Sequence, residues 1–424
     1  MKNAKVASIS GDDQLRFQKI KYLLRFSGPA WLVMIADMDA GSTIGAAETG
    51  AIFKYGMIWF MLLLIIPLYT VQETSGRIGL ATRMGLGEVI RRNYSHRIAI
   101  LTTMPMVLTD VITYIIEYLG IAIGLSLFGI PILFTLPLFY LIHILVVIHG
   151  KYRLTESILL LISALLIIAF LGALIVRGIR PYSPVYFVPS TNFLFMLAVN
   201  VGAVIMPFML FFQASATAEK ITQLEEKYPQ ASLRDEFGKN SYGSLYSTAI
   251  KFMRVETLIG AIVTEMLMIV VEMVMSGVNP GMNFASIPQL AGGLSAIAGA
   301  YSPYLFGIGL VGAAFLALVV ISMGSAWGFM EALGIRRGKS PIIYITESFP
   351  AVIIALILPE SSLINSVLYL LVLFVFVLIG PGTLMGLIVR NRSIMGQHFT
   401  SRKGEVAYWG SLLFVLVFGV LAVI

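Results

Sequence analysis

The sequence contains no cysteine, and only 4 of its 424 residues are histidine. A disulfide framework and a zinc site built on thiolates are both excluded. Charge is also scarce. Asp, Glu, Lys and Arg make up 12% of the chain, whereas 58% of the residues are hydrophobic and the mean hydropathy is +0.90. A soluble domain of this size could not cover that much apolar surface with so little charge. No low-complexity tract marks a disordered or fibrous chain. There is no Walker loop, no H-E-x-x-H and no nucleophile elbow, so an ATP-driven pump, an intramembrane protease or any other enzyme has no support. Residues 1–27 are polar and lack an apolar h-region, so no cleavable signal peptide is expected. What remains is an all-α integral membrane protein, expected to be one polytopic domain over residues 1–424 in the cell membrane.

A helix needs about 20 apolar residues to cross the hydrocarbon core. Eleven segments qualify, near 29–50, 55–76, 98–124, 131–149, 155–176, 193–216, 252–276, 303–331, 341–358, 364–389 and 406–424. With the N-terminus in the cytoplasm, 26 of the 29 Lys and Arg residues fall on inner segments. Only Lys54, Arg177 and Arg180 fall outside. That asymmetry is the positive-inside pattern, and it accounts for the net charge of +7 without a nucleic-acid partner. The most charged stretch, 219–251, reads as an amphipathic cytoplasmic loop helix, and Gly292 and Gly293 as loop or close helix contact.

Two spans carry small, polar or helix-breaking residues at mid-depth. Span 1 reads Ile35-Ala36-Asp37-Met38-Asp39-Ala40-Gly41-Ser42-Thr43 and span 6 reads Gly202-Ala203-Val204-Ile205-Met206-Pro207-Phe208. Pro207 removes an amide donor, and Gly41 tolerates non-helical backbone. Carbonyls freed in this way are tolerated only when buried in protein or lining a wet cavity. Breaks in the first and sixth spans are the offset expected of two five-helix halves related by an inverted repeat, with the substrate between the broken helices.

Carboxylates at mid-bilayer cost about 2.5–3.5 kcal/mol each on insertion scales, so they are functional candidates. Asp37 and Asp39 would point about 200° apart on a continuous helix. Asp39 is favoured as the ion ligand because Ala40-Gly41-Ser42 follows it, with Asp37 as an additional metal or proton site. No Lys or Arg lies in either break, so a cation from solution is the natural counter-charge. A carboxylate, carbonyl oxygens and the Met206 thioether would suit Mn²⁺ or Fe²⁺ better than Mg²⁺ or Ca²⁺, although packing explains most of the 21 methionines. In span 3, Asp110 and Glu117 share a helical face with Thr113 and Tyr114 between them, which reads as a proton route or as a polar seam. Glu265 and Glu272 are likewise seven apart in span 7. Glu48, Glu73, Glu331 and Glu347 are expected near span ends, reaching headgroups or basic loops. Of the histidines only His143 falls well inside the membrane, and none is a sequence neighbour of either break.

These residues resemble the Nramp family of metal-ion transporters over almost the whole chain, from Gly28-Pro29 to span 11. Asp39-Ala40-Gly41-Ser42 stands where that family has D-P-G-N, and Ala203-Val204-Ile205-Met206-Pro207-Phe208-Met209 where it has A-x-x-M-P-H-N. Gln72 to Gly79, Phe128 to Pro131 and Asn391 to Gly396 also look similar, in the same order along the chain. The resemblance implies a LeuT-type fold with spans 1–5 and 6–10 as inverted repeats and span 11 appended. It implies a secondary transporter moving a divalent metal inward, linked to protons. Asp39 would be the anionic ligand, Met206 the soft ligand, the Ala203 carbonyl an oxygen ligand and Ser42 the counterpart of the motif Asn. Glu117 would lie on the proton route. The ion enters as cargo, and no cofactor is expected. Phe208 replaces the motif His and cannot carry a proton, so weak or absent coupling is expected. Two other functions compete. A Mg²⁺ transporter without proton coupling is favoured by Asp37 and Ser42, and an amino-acid symporter would bind an amine through Asp39.

Overall fold

The computed structural model describes residues 28–149, 152–227, 241–278, 287–335, 340–357 and 363–421. Among them every regular element is helical. Nine segments among the described residues are long and apolar enough to cross a membrane. The broken first span and the shorter apolar helix Ile132–Ile148 bring the tally to the eleven read from hydropathy.

Span 1 is two helices, α1 (Pro29–Ala36) and α2 (Ala40–Phe53). Span 2 is α3 (Ile58–Thr82), followed by a short α4 (Leu86–Asn93) that hydropathy did not flag. Next come α5 (His96–Ser126), α6 (Ile132–His149) and α7 (Tyr152–Arg177). Span 6 is again divided, into α8 (Thr191–Val204) and α9 (Pro207–Lys227). Then follow α10 (Ser241–Met275), α11 (Ile287–Ala298), α12 (Ser302–Leu333) and α13 (Ser340–Ile357). The chain continues through α14 (Leu363–Val377), α15 (Ile379–Arg390), the short α16 (Arg392–Met395), one 3₁₀ turn and α17 (Arg402–Leu421).

Three expectations change. The charged stretch 219–251 is not a separate loop helix where it is described: α9 runs on to Lys227 and α10 begins at Ser241, while 228–240 lie outside the described residues. Gly292 lies inside α11, and a methyl there would meet open space, so it marks neither a loop nor a close contact. Span 10 is not one uninterrupted helix. Pro381 has no amide for the Val377 carbonyl, and α14 gives way to α15 at that point.

The broken helices cross as like pairs, α1 against α9 and α2 against α8, and α10 packs along both halves of span 1. Helix α5 passes close to the start of α2. A Cβ on Gly120 would collide with the Ala40 side chain, so glycine is what permits this approach. At one end of α3, Arg83 pairs with Glu225 (2.6 Å), Arg254 with Glu73 (2.8 Å) and Arg390 with Glu405 (3.2 Å). At the other end Lys54 sits 4.8 Å from the Tyr182 ring centroid, and Arg177 donates to the Ser276 carbonyl (2.7 Å). The arginine-rich and arginine-poor ends read from the sequence are thus separated by the length of the helix.

Candidate metal centre

The span 1 break is Asp37-Met38-Asp39. Helix α1 ends when the Asp37 amide turns back to the carbonyls of Met34 and Ile35. Asp39 then adopts extended backbone (φ −70°, ψ 177°) and caps α2, its Oδ1 accepting from the Ser42 amide at 2.6 Å. An Asp at this position satisfies one of the orphan donors of the helix start. The carboxyl is thereby fixed at the break rather than aimed along a continuous helix.

The span 6 break is Ile205-Met206, with Ile205 at φ −135° and ψ 89°. In an uninterrupted helix the Ala203 carbonyl would accept from residue 207. That residue is Pro207, which has no N–H. The freed oxygen accepts instead from Ser42 Oγ, at 3.1 Å. One hydroxyl thus links the two breaks, and the same serine's amide holds Asp39. Asp39, Ser42, Ala203 and Met206 are each at most 1% exposed, so the centre is closed to water from both sides. Met206 lies within the second break, with its carbonyl accepting from the Met209 amide at 3.1 Å.

The acids divide into three neighbourhoods. Glu117 of α5 accepts from the Ala40 amide through Oε2 (3.0 Å), and its carboxyl lies beside that of Asp39. Asp37 does not join Ser42. It is buried within Coulombic range of Glu265 of α10 as well as Asp39, and neither Asp37 Oδ1 nor either Glu265 oxygen has a hydrogen-bond partner. Asp110 is separated from Glu117 despite the shared face: it lies across from Glu347 of α13, with the Ser325 hydroxyl between them. Both oxygens of Asp110, both of Glu347 and Ser325 Oγ lack a hydrogen bond. Glu347 is 5% exposed, which corrects its expected place at a span end facing headgroups. Glu331 is likewise buried, accepting from Ser215 at 2.7 Å, whereas Glu73 does meet basic residues.

A histidine that sequence proximity could not place joins the Asp110 and Glu347 group. His143 of α6 meets Tyr118 through Nδ1 (2.8 Å) and Ser322 through Nε2 (2.8 Å), and Tyr114 donates to the same serine at 2.9 Å. Tyr118 is the residue after Glu117. The signal for this network was available only as isolated polar residues in four separate spans. Among the described residues, no three Asp, Glu or His side chains converge into a ready-made metal cage. What the two breaks bring together is the Asp39 carboxylate and the freed Ala203 carbonyl, joined through Ser42.

The Nramp model, described as natural resistance-associated macrophage protein-like, matches residues 30–424. The divalent metal cation transporter MntH of Bacillus subtilis is 25% identical over 414 residues, covering 93% of this chain and 90% of its own. MntH of Verminephrobacter eiseniae is 27% identical over 215 residues, an alignment spanning 48% of each chain. Among solved structures, a manganese transporter of Eremococcus coleocola superposes with TM-score 0.76 at 17% identity, covering 99% of this chain and 88% of that one. MhsT in complex with L-phenylalanine superposes more loosely, with TM-score 0.54 at 16% identity over 93% of this chain and 97% of that one. Both likenesses show a shared fold of two inverted five-helix repeats. With a family match over nearly its full length and the two paired helix breaks at its centre, this multi-pass membrane protein belongs to the Nramp family.

Proposed function

We propose that the chain is a secondary transporter of divalent transition-metal ions, of the Mn²⁺ and Fe²⁺ class, working by alternating access. The observation that carries this reading is the Ser42 Oγ to Ala203 carbonyl bond, which joins a carboxylate-bearing break to a carbonyl-bearing one. An arriving cation takes the Ala203 oxygen and the Asp39 carboxylate. The Ser42 hydroxyl then turns from donating to Ala203 to offering a lone pair to the ion. The C-terminal ends of α1 and α8 both point carbonyls at this centre, which favours positive charge. Met206 adds a polarizable sulfur and tilts the choice away from Mg²⁺.

The proton branch of the reading rests on Glu117. Its carboxyl lies beside Asp39, where two negative charges repel and either a proton or a divalent cation relieves the repulsion. Metal binding at Asp39 therefore favours loss of a proton from the pair. Tyr118, His143, Ser322 and Tyr114 offer hydrogen-bonded groups leading toward Glu347 and Asp110, and they supply an imidazole that Phe208 does not. Because α1 pairs with α9 and α2 with α8, movement of one pair opens the centre on one side while the other pair stays closed.

The test is uptake into proteoliposomes with Mn²⁺, Fe²⁺, Mg²⁺, Ca²⁺ and a set of amino acids, with calorimetry of Asp39→Ala alongside. Saturable Mn²⁺ uptake that Asp39→Ala abolishes supports the reading. Amino-acid uptake without metal, or unchanged Mn²⁺ affinity in Asp39→Ala, overturns it.

A further inference from the structure

A second built site lies at the arginine-rich end, away from the helix breaks. A cavity of about 380 Å³ opens between α3, the start of α10 and the beginning of α17. That is more than ten times the ~30 Å³ share of one liquid water. Its walls include Glu73, Arg77, Arg254, Thr400, Ser401 and Gly404. Two guanidinium groups meet one carboxylate: Arg77 Nε lies 3.1 Å and Arg254 Nε 2.8 Å from the same Glu73 Oε1. Arg77 is 6% exposed, and its Nη1 donates to the His398 carbonyl at 3.3 Å. Arg77 Nη2 and both terminal nitrogens of Arg254 make no hydrogen bond among the described residues, and the buried Arg77 Nε meets Glu73 only as an ion pair. A guanidinium as buried as that of Arg77 normally has its donors satisfied, whereas Arg254 is half-exposed. These donors border a polar cavity in place of a protein acceptor.

The opposite wall adds to the same polarity. Helix α17 is 20 residues long and begins at this cavity. Its dipole places partial positive charge there, and Glu405 in its first turn is paired with Arg390. Ser401 Oγ accepts from the Gly404 amide at 3.3 Å, which leaves its own proton free to donate. Arg392 stacks over the Phe399 ring at 4.1 Å, closing the rim with another cation. The field is felt by His398, whose imidazole is held below its usual pKa by partial burial and by the guanidinium groups of Arg77, Arg254 and Arg83. Among the described residues Glu73 is the only acid in the wall, and it is already shared by two arginines.

We propose that this cavity binds a phosphate-bearing anion, either the headgroup of an acidic phospholipid or free phosphate, held by Arg77, Arg254 and the start of α17. Guanidinium forks suit phosphate oxygens, and helix starts suit phosphate anions. The site lies at the end of the spans that the positive-inside rule assigns to the cytoplasm, where acidic lipids attract basic segments. Bound there, the anion bridges α3 and α10, which pack together, to the appended α17.

The experiment uses the full chain, purified in detergent and stripped of lipid. Thermal stability and native mass spectra are recorded with phosphatidylglycerol, with phosphatidylcholine and with inorganic phosphate. Wild type is compared with Arg254→Gln, Arg254→Lys and Arg77→Gln. Arg254 is half-exposed and Glu73 keeps Arg77 in the Arg254→Gln variant, so that variant retains the fold and carries the test if Arg77→Gln fails to fold. The expected result is a saturable rise in melting temperature and retained adducts in wild type, with affinity lowered roughly tenfold in Arg254→Gln and partly restored in Arg254→Lys. A response to phosphatidylglycerol but not to phosphate identifies a lipid headgroup. A response to phosphate, with the two lipids alike, identifies the free anion. Equal responses to phosphatidylglycerol and phosphatidylcholine with none to phosphate, or equal affinity in wild type and Arg254→Gln, overturns the proposal.

Discussion

The helix-break centre and the polar seam between α5, α6, α12 and α13 bury the same kinds of groups, but they treat them differently. At the breaks the backbone is irregular. Asp39 is tied to the Ser42 amide, and the Ala203 carbonyl is released by Pro207 to meet Ser42 Oγ. In the seam the groups project from helices that run on without a break. There Asp110 and Glu347 face each other through Ser325 with no hydrogen bonds to their oxygens. A metal ion needs several oxygens or a sulfur at close range, and only a broken helix adds backbone carbonyls to the side chains. A proton needs one acceptor at a time. The two regions are thus suited to different cations.

Four changes test that division. Asp39→Ala should have the largest effect, abolishing Mn²⁺ binding by calorimetry while circular dichroism and gel filtration show a folded protein. Residual binding at wild-type affinity would remove the breaks as the metal centre. Next, Met206→Ala should lower Mn²⁺ or Cd²⁺ affinity by roughly tenfold more than Mg²⁺ affinity, about 1.4 kcal/mol of selectivity. An equal loss for all three ions would reduce Met206 to packing.

Glu117→Gln sharpens the boundary between the regions. It should keep Mn²⁺ affinity within a few-fold, yet remove whatever metal-driven acidification a trapped pH dye reads in wild type. Acidification that persists in this variant would move the proton route elsewhere, with Asp110 and Glu347 the next residues to change. The smallest effect is expected from His143→Phe. It removes the contacts to Tyr118 and Ser322 and should cost about 1–3 kcal/mol of stability, read as a lower melting temperature with Mn²⁺ affinity unchanged. A loss of affinity instead would mean that the seam reaches the metal centre.

Much of the centre was legible because its causes are local. Pro207 cannot donate an amide in any fold, and an Asp before Ala-Gly-Ser makes a good helix cap wherever it occurs. Even so, the Ser42 to Ala203 bond spans 161 positions. The seam was legible only as fragments. Asp110 and Glu117 were correctly placed on one face of α5, but a helix face curves, and residues two turns apart met different neighbours. Glu347 was misjudged because distance from a span end says nothing about which helix packs alongside. His143 has no role that the sequence can assign, since no spacing links spans 3, 4 and 8.

The sequence by itself determined that this chain crosses a membrane, where its spans lie and that the first and sixth of them break. Those properties follow from hydrophobic length, charge asymmetry and the covalent limits of proline and glycine. Only the tertiary structure decided that Asp37 would sit near Glu265, that His143 would bridge Tyr118 and Ser322, and that Arg77 and Arg254 would share one glutamate. Helix packing brings those groups together from distant positions, and side chains buried away from water must then settle for whichever partners the packing supplies.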